Sequence, residues 1–269
     1  MGMNNENASR ARADYRNWMP KGMVYTFLAG AIGCGAAAIL LGLVLNGTLK
    51  TVLTVAFAAL AVILCGMTVW ALLMRRAFSY DGRRQMSRQI IEGTAAHVKL
   101  PAGGRCLDVG CGSGALAIAV AKRNPKAEVV GIDRWGKEYA SFNKSLCEDN
   151  ARAEGVKRIS FQQGDATHLG FSDETFDAVV SNYVYHNIPG DRQQYLLETL
   201  RTLKKGGSFA LHDIFSKSKY GDMQAFVTHL KDMGYQKVEL IDTTDGRFMT
   251  KFEAAWMGLS GSALLTGIK

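Results

Sequence analysis

Proline is scarce in this chain, four residues of 269, and cysteine is scarce and scattered. Cys34, Cys65, Cys106, Cys111 and Cys147 include no CxxC pair. That spacing supports neither a metal site nor a disulfide framework, so no metal is expected. Unpaired thiols fit a reducing compartment. Internal repeats and low-complexity tracts are also missing, which excludes solenoids and disordered arrays. Charge is absent from two long stretches, Met23–Leu45 and Val52–Met74, of 23 residues each.

As helix, each stretch is about 35 Å long at 1.5 Å per residue, enough to cross a hydrocarbon core roughly 30 Å thick. A cleaved signal peptide has a shorter apolar region and no second span directly behind it. The reading is therefore a transmembrane α-hairpin, 23–45 and 52–74, turning at Asn46–Thr51. Gly30, Gly33, Gly35 and Gly42 allow close packing of its two helices, or of a homodimer through the hairpin. Arg10, Arg12, Arg16 and Lys21 precede the first span, and Arg75, Arg76, Arg83, Arg84 and Arg88 follow the second, whereas the turn carries only Lys50. By the positive-inside rule both termini and the remaining domain face the cytoplasm, in a two-pass arrangement in the cell membrane. Residues 1–88 carry a net +7 of the total +8, leaving +1 for residues 89–269. The basic balance belongs to the anchor, where anionic headgroups attract it, and it is no nucleic-acid footprint.

The organisation expected is a basic segment over 1–22, the hairpin over 23–74, a basic helical connector over 75–104 and one α/β domain over 105–269. Short apolar strands are expected at Arg105–Val109, Glu128–Ile132, Ile159–Gln163, Asp177–Asn182, Ser208–Ile214, Lys237–Ile241 and Phe248–Trp256. Helices are expected at Ala115–Arg123, Lys137–Glu154, Arg192–Leu203 and Asp222–Met233. The first four connections are long enough for parallel crossovers. The last two strands flank Asp245-Gly246, a turn signal, and read as an antiparallel hairpin. The apolar tail after Trp256 is expected to touch the membrane, cover the pocket or simply pack.

The chemistry starts where Cys106-Leu-Asp-Val runs into Gly110, Gly112 and Gly114. Glycines there let the backbone approach a ligand and present helix N-terminal amides to it. Gly110, Gly112 and Ala115 also fit the dinucleotide fingerprint. Asp108 shifts the balance, because a carboxylate aimed at this loop repels a pyrophosphate and pairs with an ammonium group. A cofactor with an amino-acid moiety is preferred over NAD. Asp133 ends the second strand, where an acid accepts hydrogen bonds from ribose hydroxyls. Arg134 follows it, Trp135 offers an apolar face to adenine, and Asp165, within Gly164-Asp-Ala166, is suited to accept from an adenine amino group. Each of these also has a purely structural reading, as a turn cap or core residue.

Together, Leu107-Asp-Val-Gly-Cys-Gly-Ser-Gly114, Val130-Gly-Ile-Asp133, Gln163-Gly-Asp-Ala166, Phe176–Asn182 and Leu203-Lys-Lys-Gly-Gly207 resemble the class I S-adenosylmethionine-dependent methyltransferases. The resemblance covers Arg105 to Trp256. It implies a Rossmann-like, doubly wound, seven-stranded, mostly parallel sheet with its last strand antiparallel, and S-adenosylmethionine as cofactor. It implies Asp108 near the methionine amino group, Gly110, Cys111, Gly112 and Gly114 under the cofactor, Asp133 at ribose, and Gly164, Asp165 and Ala166 at adenine. Asn182 and Tyr183 are candidate contacts for cofactor or substrate, and Tyr185 for the pocket wall. Ser181–Ile188 lacks the Asn/Asp-Pro-Pro-Tyr pattern of nucleic-acid amino methylases and is closer to the small-molecule branch. His186 is a candidate general base, and His212 with Asp213 is a second candidate pair. Proximity of donor and acceptor supplies much of the rate in either case. The anchor points to a small, apolar, membrane-partitioned acceptor. The alternatives are methylation of a membrane protein, or a non-catalytic cofactor-binding scaffold or sensor.

Overall fold

A computed structural model describes residues 12–136 and 141–269. It divides into two compact units, Asn17–Arg88 and the rest. The first unit is a helical hairpin, α1 (Lys21–Val44) and α2 (Gly47–Ala77). Both helices are long and apolar enough to cross a membrane. The turn is tighter than expected, because α2 already begins at Gly47. Most apolar side chains of the pair are exposed, Leu43 and Val62 among them, unlike those of a helix in a soluble core. Gly30 lies against Leu64, where a Cβ would come within 3.1 Å of a methyl, whereas Gly33 and Gly35 face open space. Close packing within the hairpin therefore accounts for Gly30 and not for the other two.

The second unit follows the order α3 (Met86–Ala95, beginning within the first unit), β1 (Arg105–Val109), α4 (Ala115–Arg123), β2 (Glu128–Asp133), α5 (Lys144–Ala153), β3 (Ile159–Gln163), β4 (Phe176–Asn182), α6 (Arg192–Arg201), β5 (Leu203–Ile214), α7 (Lys217–Tyr220), α8 (Met223–Asp232), β6 (Gln236–Asp242), α9 (Lys251–Trp256) and β7 (Ser262–Ile268). The helix expected from Lys137 starts at Lys144, capped by the Asn143 side chain on the Leu146 amide; positions 137–140 lie outside the described residues. Residues 12–16 pack with this unit. Asn150 accepts from the Asp14 amide at 2.7 Å and donates to the Asp14 carbonyl at 3.0 Å.

The seven strands lie in the order β3-β2-β1-β4-β5-β7-β6, with only β7 antiparallel to its neighbours. β1, β2 and β4 are buried along nearly their whole length, as parallel strands covered on both faces must be. The order reverses between β1 and β4, the place where open sheets leave a crevice at their carboxyl ends.

The sheet differs from expectation at its end. Phe248–Trp256 is not a strand. Thr250 and Glu253 form a capping box, the threonine oxygen accepting from the Glu253 amide and the glutamate accepting from the Thr250 amide, and α9 starts there. The seventh strand comes from the tail, Ser262–Ile268. It inserts between β5 and β6 and ladders with both. The tail is thus an interior part of the sheet. Removing residues 258–269 should strip β5 and β6 of their shared partner. Loss of cooperative thermal unfolding, followed by circular dichroism in detergent, is expected; a tail that only covered a pocket would leave the transition intact.

Candidate functional site

The carboxyl ends of β1 to β5 carry the residues that the sequence singled out. β1 delivers Asp108 into the interior, 1% exposed, with no hydrogen-bond partner on either carboxylate oxygen. Burial pushes its carboxyl up to about 8; the Ala117 amide in the first turn of α4 opposes the shift and the Asp133 charge adds to it. An unpaired buried carboxylate is costly, and a cation is the partner that relieves it.

The three loop glycines all have positive φ, but for different reasons. A Cβ on Gly110 would strike Val184 at 2.2 Å, and one on Gly114 would press on Phe161 at 3.0 Å. Only Gly112 faces open space. The cradle is therefore at Gly112, and its two neighbours are glycine for packing. Asp133 braces it, accepting from the Gly112 amide at 2.8 Å and the Trp135 amide at 2.8 Å, while the Trp135 indole donates to the Gly112 carbonyl at 3.1 Å. Arg134 is exposed beside it.

Cys111 is buried, and burial together with the Cys147 thiol pushes its own thiol well up, which makes it a poor nucleophile. The Cys147 thiol also donates to the Gly112 carbonyl. Gly164 follows β3, its amide on the Asp133 carbonyl, and Ala166 packs on the core. Asp165 is exposed. Its Oδ1 accepts from the Thr167 amide and hydroxyl, which together hold its carboxyl below the usual range.

Beyond β4 the chain turns sharply at Tyr183, φ 55°. That turn sends successive side chains apart. Val184 covers Gly110, and Tyr185 goes into the core, its hydroxyl 2.6 Å from Thr199, so it lines no pocket. His186 swings onto the end of β5, where its Nδ1 lies 2.5 Å from Asp213 Oδ1. Asp213 is 1% exposed and also accepts from the Tyr185, His186 and Ile214 amides. Among the described residues no hydrogen bond occupies His186 Nε2. The pairing thus crosses the two sequence candidates: Asp213 orients His186, not its neighbour His212.

His212 is fully buried, with Nδ1 2.8 Å from Asn182 Oδ1 and Nε2 3.0 Å from Thr243 Oγ1. Burial lowers its pKa to about 3, against the pull of Asp213, so the ring is neutral and both nitrogens are engaged. The network continues: Thr243 Oγ1 also lies 3.0 Å from the Ser262 carbonyl, Ser262 donates to the Leu259 carbonyl, and the Tyr183 hydroxyl consequently donates to Ser262 Oγ. The Tyr183 ring meets His212 and His186 at 4.7 and 5.9 Å between centroids, and Phe248 closes on His212 at 5.3 Å. Sequence reasoning missed Thr243, Phe248 and Ser262. Nothing local marks them, because β7 and the loop after β6 bring them in.

A methyltransferase-domain family model matches residues 100–255. A demethylmenaquinone methyltransferase of Lactobacillus johnsonii is 36% identical over 115 residues, 42% of this chain and 45% of that protein. A ubiquinone/menaquinone biosynthesis C-methyltransferase of Desulfotalea psychrophila is 30% identical over 183 residues, 68% of this chain and 66% of its own length. The chain spans about half the length of the first curated relatives it matches. Among solved structures, the [4+2]-cyclase SpnF shares the fold at TM-score 0.53 and 21% identity, covering 71% of this chain and 85% of that one. A geranyl diphosphate methyltransferase, solved in complex with GPP and sinefungin, shares it at TM-score 0.51 and 14% identity, covering 68% of this chain and 82% of that one.

Gly110→Ala should lower the melting temperature by several degrees, since it combines a positive-φ cost of about 1–2 kcal/mol with the Val184 collision. Gly112→Ala carries only the conformational cost and should chiefly weaken cofactor binding; calorimetry and thermal melts on the two variants separate these effects.

With its family match, its reversed seven-stranded sheet and its unpartnered Asp108 beside an open glycine cradle, this chain belongs to the class I S-adenosylmethionine-dependent methyltransferases, in the methyltransferase-domain family.

Proposed function

We propose that the chain is a membrane-anchored methyltransferase acting on a small, apolar, membrane-partitioned acceptor, through transfer to oxygen, nitrogen, sulfur or carbon. The observation that carries this reading is the His186–Asp213 dyad at the ends of β4 and β5, on the same edge of the sheet as the carboxylate of Asp108 on β1. Two relatives named for quinone methylation support an apolar acceptor.

When bound, S-adenosylmethionine supplies an electrophilic methyl group. Asp108 pairs with the ammonium of its amino-acid moiety. Gly112 lets the backbone approach, and Asp133, with a lone pair left on each oxygen after its two amide bonds, accepts from ribose hydroxyls. Trp135 and the remaining oxygen of Asp165 serve the adenine end. His186 Nε2 takes the proton of an acceptor that must lose one, and Asp213 holds the Nδ1–H tautomer and stabilises the imidazolium. His212 positions Asn182 and takes no proton.

The hairpin leaves the second unit at Arg16 and rejoins it near Gln89. Two spans therefore return the chain to the side it left, with Lys/Arg on both flanks assigning that side to the cytoplasm. The spans hold the enzyme where apolar acceptors concentrate, and Gly33 and Gly35 are open for a homodimer contact.

His186→Ala should lower kcat by about 10²–10⁴-fold with cofactor affinity unchanged. Asp213→Asn should fall in the same direction, and the double variant should fall no further than His186→Ala, because the two act as a unit. Unchanged turnover in His186→Ala would remove the dyad from the reaction. The primary test uses methyl-labelled S-adenosylmethionine, full-length protein and native membrane extract. Label in the organic phase that vanishes with Asp108→Ala supports the lipidic acceptor; label confined to protein would move the activity to a membrane-protein substrate, and binding without transfer would favour a scaffold.

The pH dependence of binding follows from Asp108. Its carboxyl is protonated below about 8 in the free protein, and pairing with an ammonium requires the carboxylate. Cofactor affinity should rise with pH toward about 8 and fall again where the cofactor's own ammonium loses its proton, with proton release on binding at neutral pH. Without cofactor the same raised pKa makes the folded state bind the extra proton, so this group's stabilisation is lost as pH climbs from the ordinary carboxylate range toward 8. Calorimetry in buffers of different ionisation enthalpy measures the proton release, and Asp108→Asn should abolish it.

A further inference from the structure

Asn150, 2% exposed on α5, joins two segments that lie far from it in the chain. Its Oδ1 accepts from the Asp14 amide at 2.7 Å. Its Nδ2 has two hydrogens and both are used, one on the Asp14 carbonyl and one on the Ser113 carbonyl, each at 3.0 Å. The pair of bonds with Asp14 matches amide to amide, as one strand matches its neighbour.

Ser113 belongs to the cofactor loop, between Gly112 and Gly114. One residue earlier, the Gly112 carbonyl is held by the Trp135 indole and by the thiol of Cys147, which stands three residues before Asn150 on α5. A peptide unit is planar, so each held carbonyl also sets the amide that follows it. The bond to Ser113 thereby orients the Gly114 amide, which donates to the Cys111 carbonyl at 2.7 Å. Glycines have the most backbone freedom to lose, and a loop set in one shape beforehand binds its ligand more tightly.

The other partner of Asn150 is held in turn. The Asp14 carboxylate accepts from the Arg16 amide at 2.9 Å and pairs with the Arg16 guanidinium at 3.0 Å, which leaves the Asp14 backbone to Asn150. Tyr15 beside it is buried. Residues 12–16 and the cofactor loop lie in one compact unit, although the hairpin separates them in sequence.

We propose that Asn150 is a positioning residue for the cofactor loop and that residues 12–16 act through it. Chain from both sides of the hairpin in sequence then shapes one cofactor site. The inference rests on the seat of S-adenosylmethionine at Gly112 proposed above.

The test titrates S-adenosylmethionine into full-length protein in detergent by calorimetry. Asn150→Ala should raise the Kd about tenfold, the scale of one or two lost hydrogen bonds. Asp14→Pro lacks the backbone N–H and should raise it roughly three- to tenfold, whereas Asp14→Ala keeps that amide and should have the smaller effect. In the double variant of Asn150→Ala with Asp14→Pro, the Kd should match that of Asn150→Ala, because the bridge is already gone. An unchanged Kd in Asp14→Pro, an equal loss in Asp14→Ala, or losses that multiply in the double variant overturn the proposal. Thr250→Ala, which breaks the capping box of α9, is the stability control and should lower the melting temperature without moving the Kd. Asn150→Ala that behaves like this control has only a structural role, and if it does not fold, the two Asp14 variants carry the test. Asp108→Ala reads the seat of the cofactor separately. Wild-type binding there refutes the seat, whereas lost binding there with a wild-type Kd in Asn150→Ala refutes the bridge alone.

Discussion

Two buried carboxylates, each 1% exposed and two strands apart, govern the candidate site through opposite states of hydrogen bonding. Asp213 accepts from three backbone amides and one imidazole, and so determines where the chain goes after β4. The turn at Tyr183, the descent of Tyr185 into the core and the placement of His186 all depend on it. Among the described residues Asp108 has no donor in hydrogen-bonding geometry, and the Ala117 amide is the one donor near enough to act on its charge. A folded chain tolerates the first because its oxygens are paired with fixed donors, and the second because burial keeps the proton on the carboxyl until a cation arrives.

The pairing of His186 with Asp213 also separates two histidines that look alike in the sequence. They occupy neighbouring strand ends, and by sequence alone either is a candidate base. Burial and two hydrogen-bonded nitrogens make His212 a neutral strut between Asn182 and Thr243, while His186 Nε2 has no hydrogen bond among the described residues. Proximity in sequence to a carboxylate did not decide which imidazole it orients. The direction of the Asp213 side chain on β5 did.

Fold alone does not fix the chemistry here. A cyclase and a methyltransferase share this sheet at similar TM-scores, so chemistry on this fold is decided by the residues of the site. Two long apolar helices add a constraint of another kind. They expose surface that water disfavours.

The motifs from β1 to β5 were legible from residues alone because each is local: a buried strand, a glycine turn, an acid at a strand end. The hairpin was legible for the same reason, since 23 uncharged residues need no partner to declare themselves. The Thr250–Glu253 capping box was also there to be read, but a short alternating segment imitates a strand until its cap is counted. What the sequence by itself determined is the helical hairpin, the strands β1 to β6 and the glycine turn after β1. Tertiary structure alone decided that the tail becomes β7, that Asp213 serves His186, and that Thr243, Ser262 and Phe248 join the site. Those contacts join segments distant along the chain, through strand insertion and side-chain direction, which no local pattern encodes.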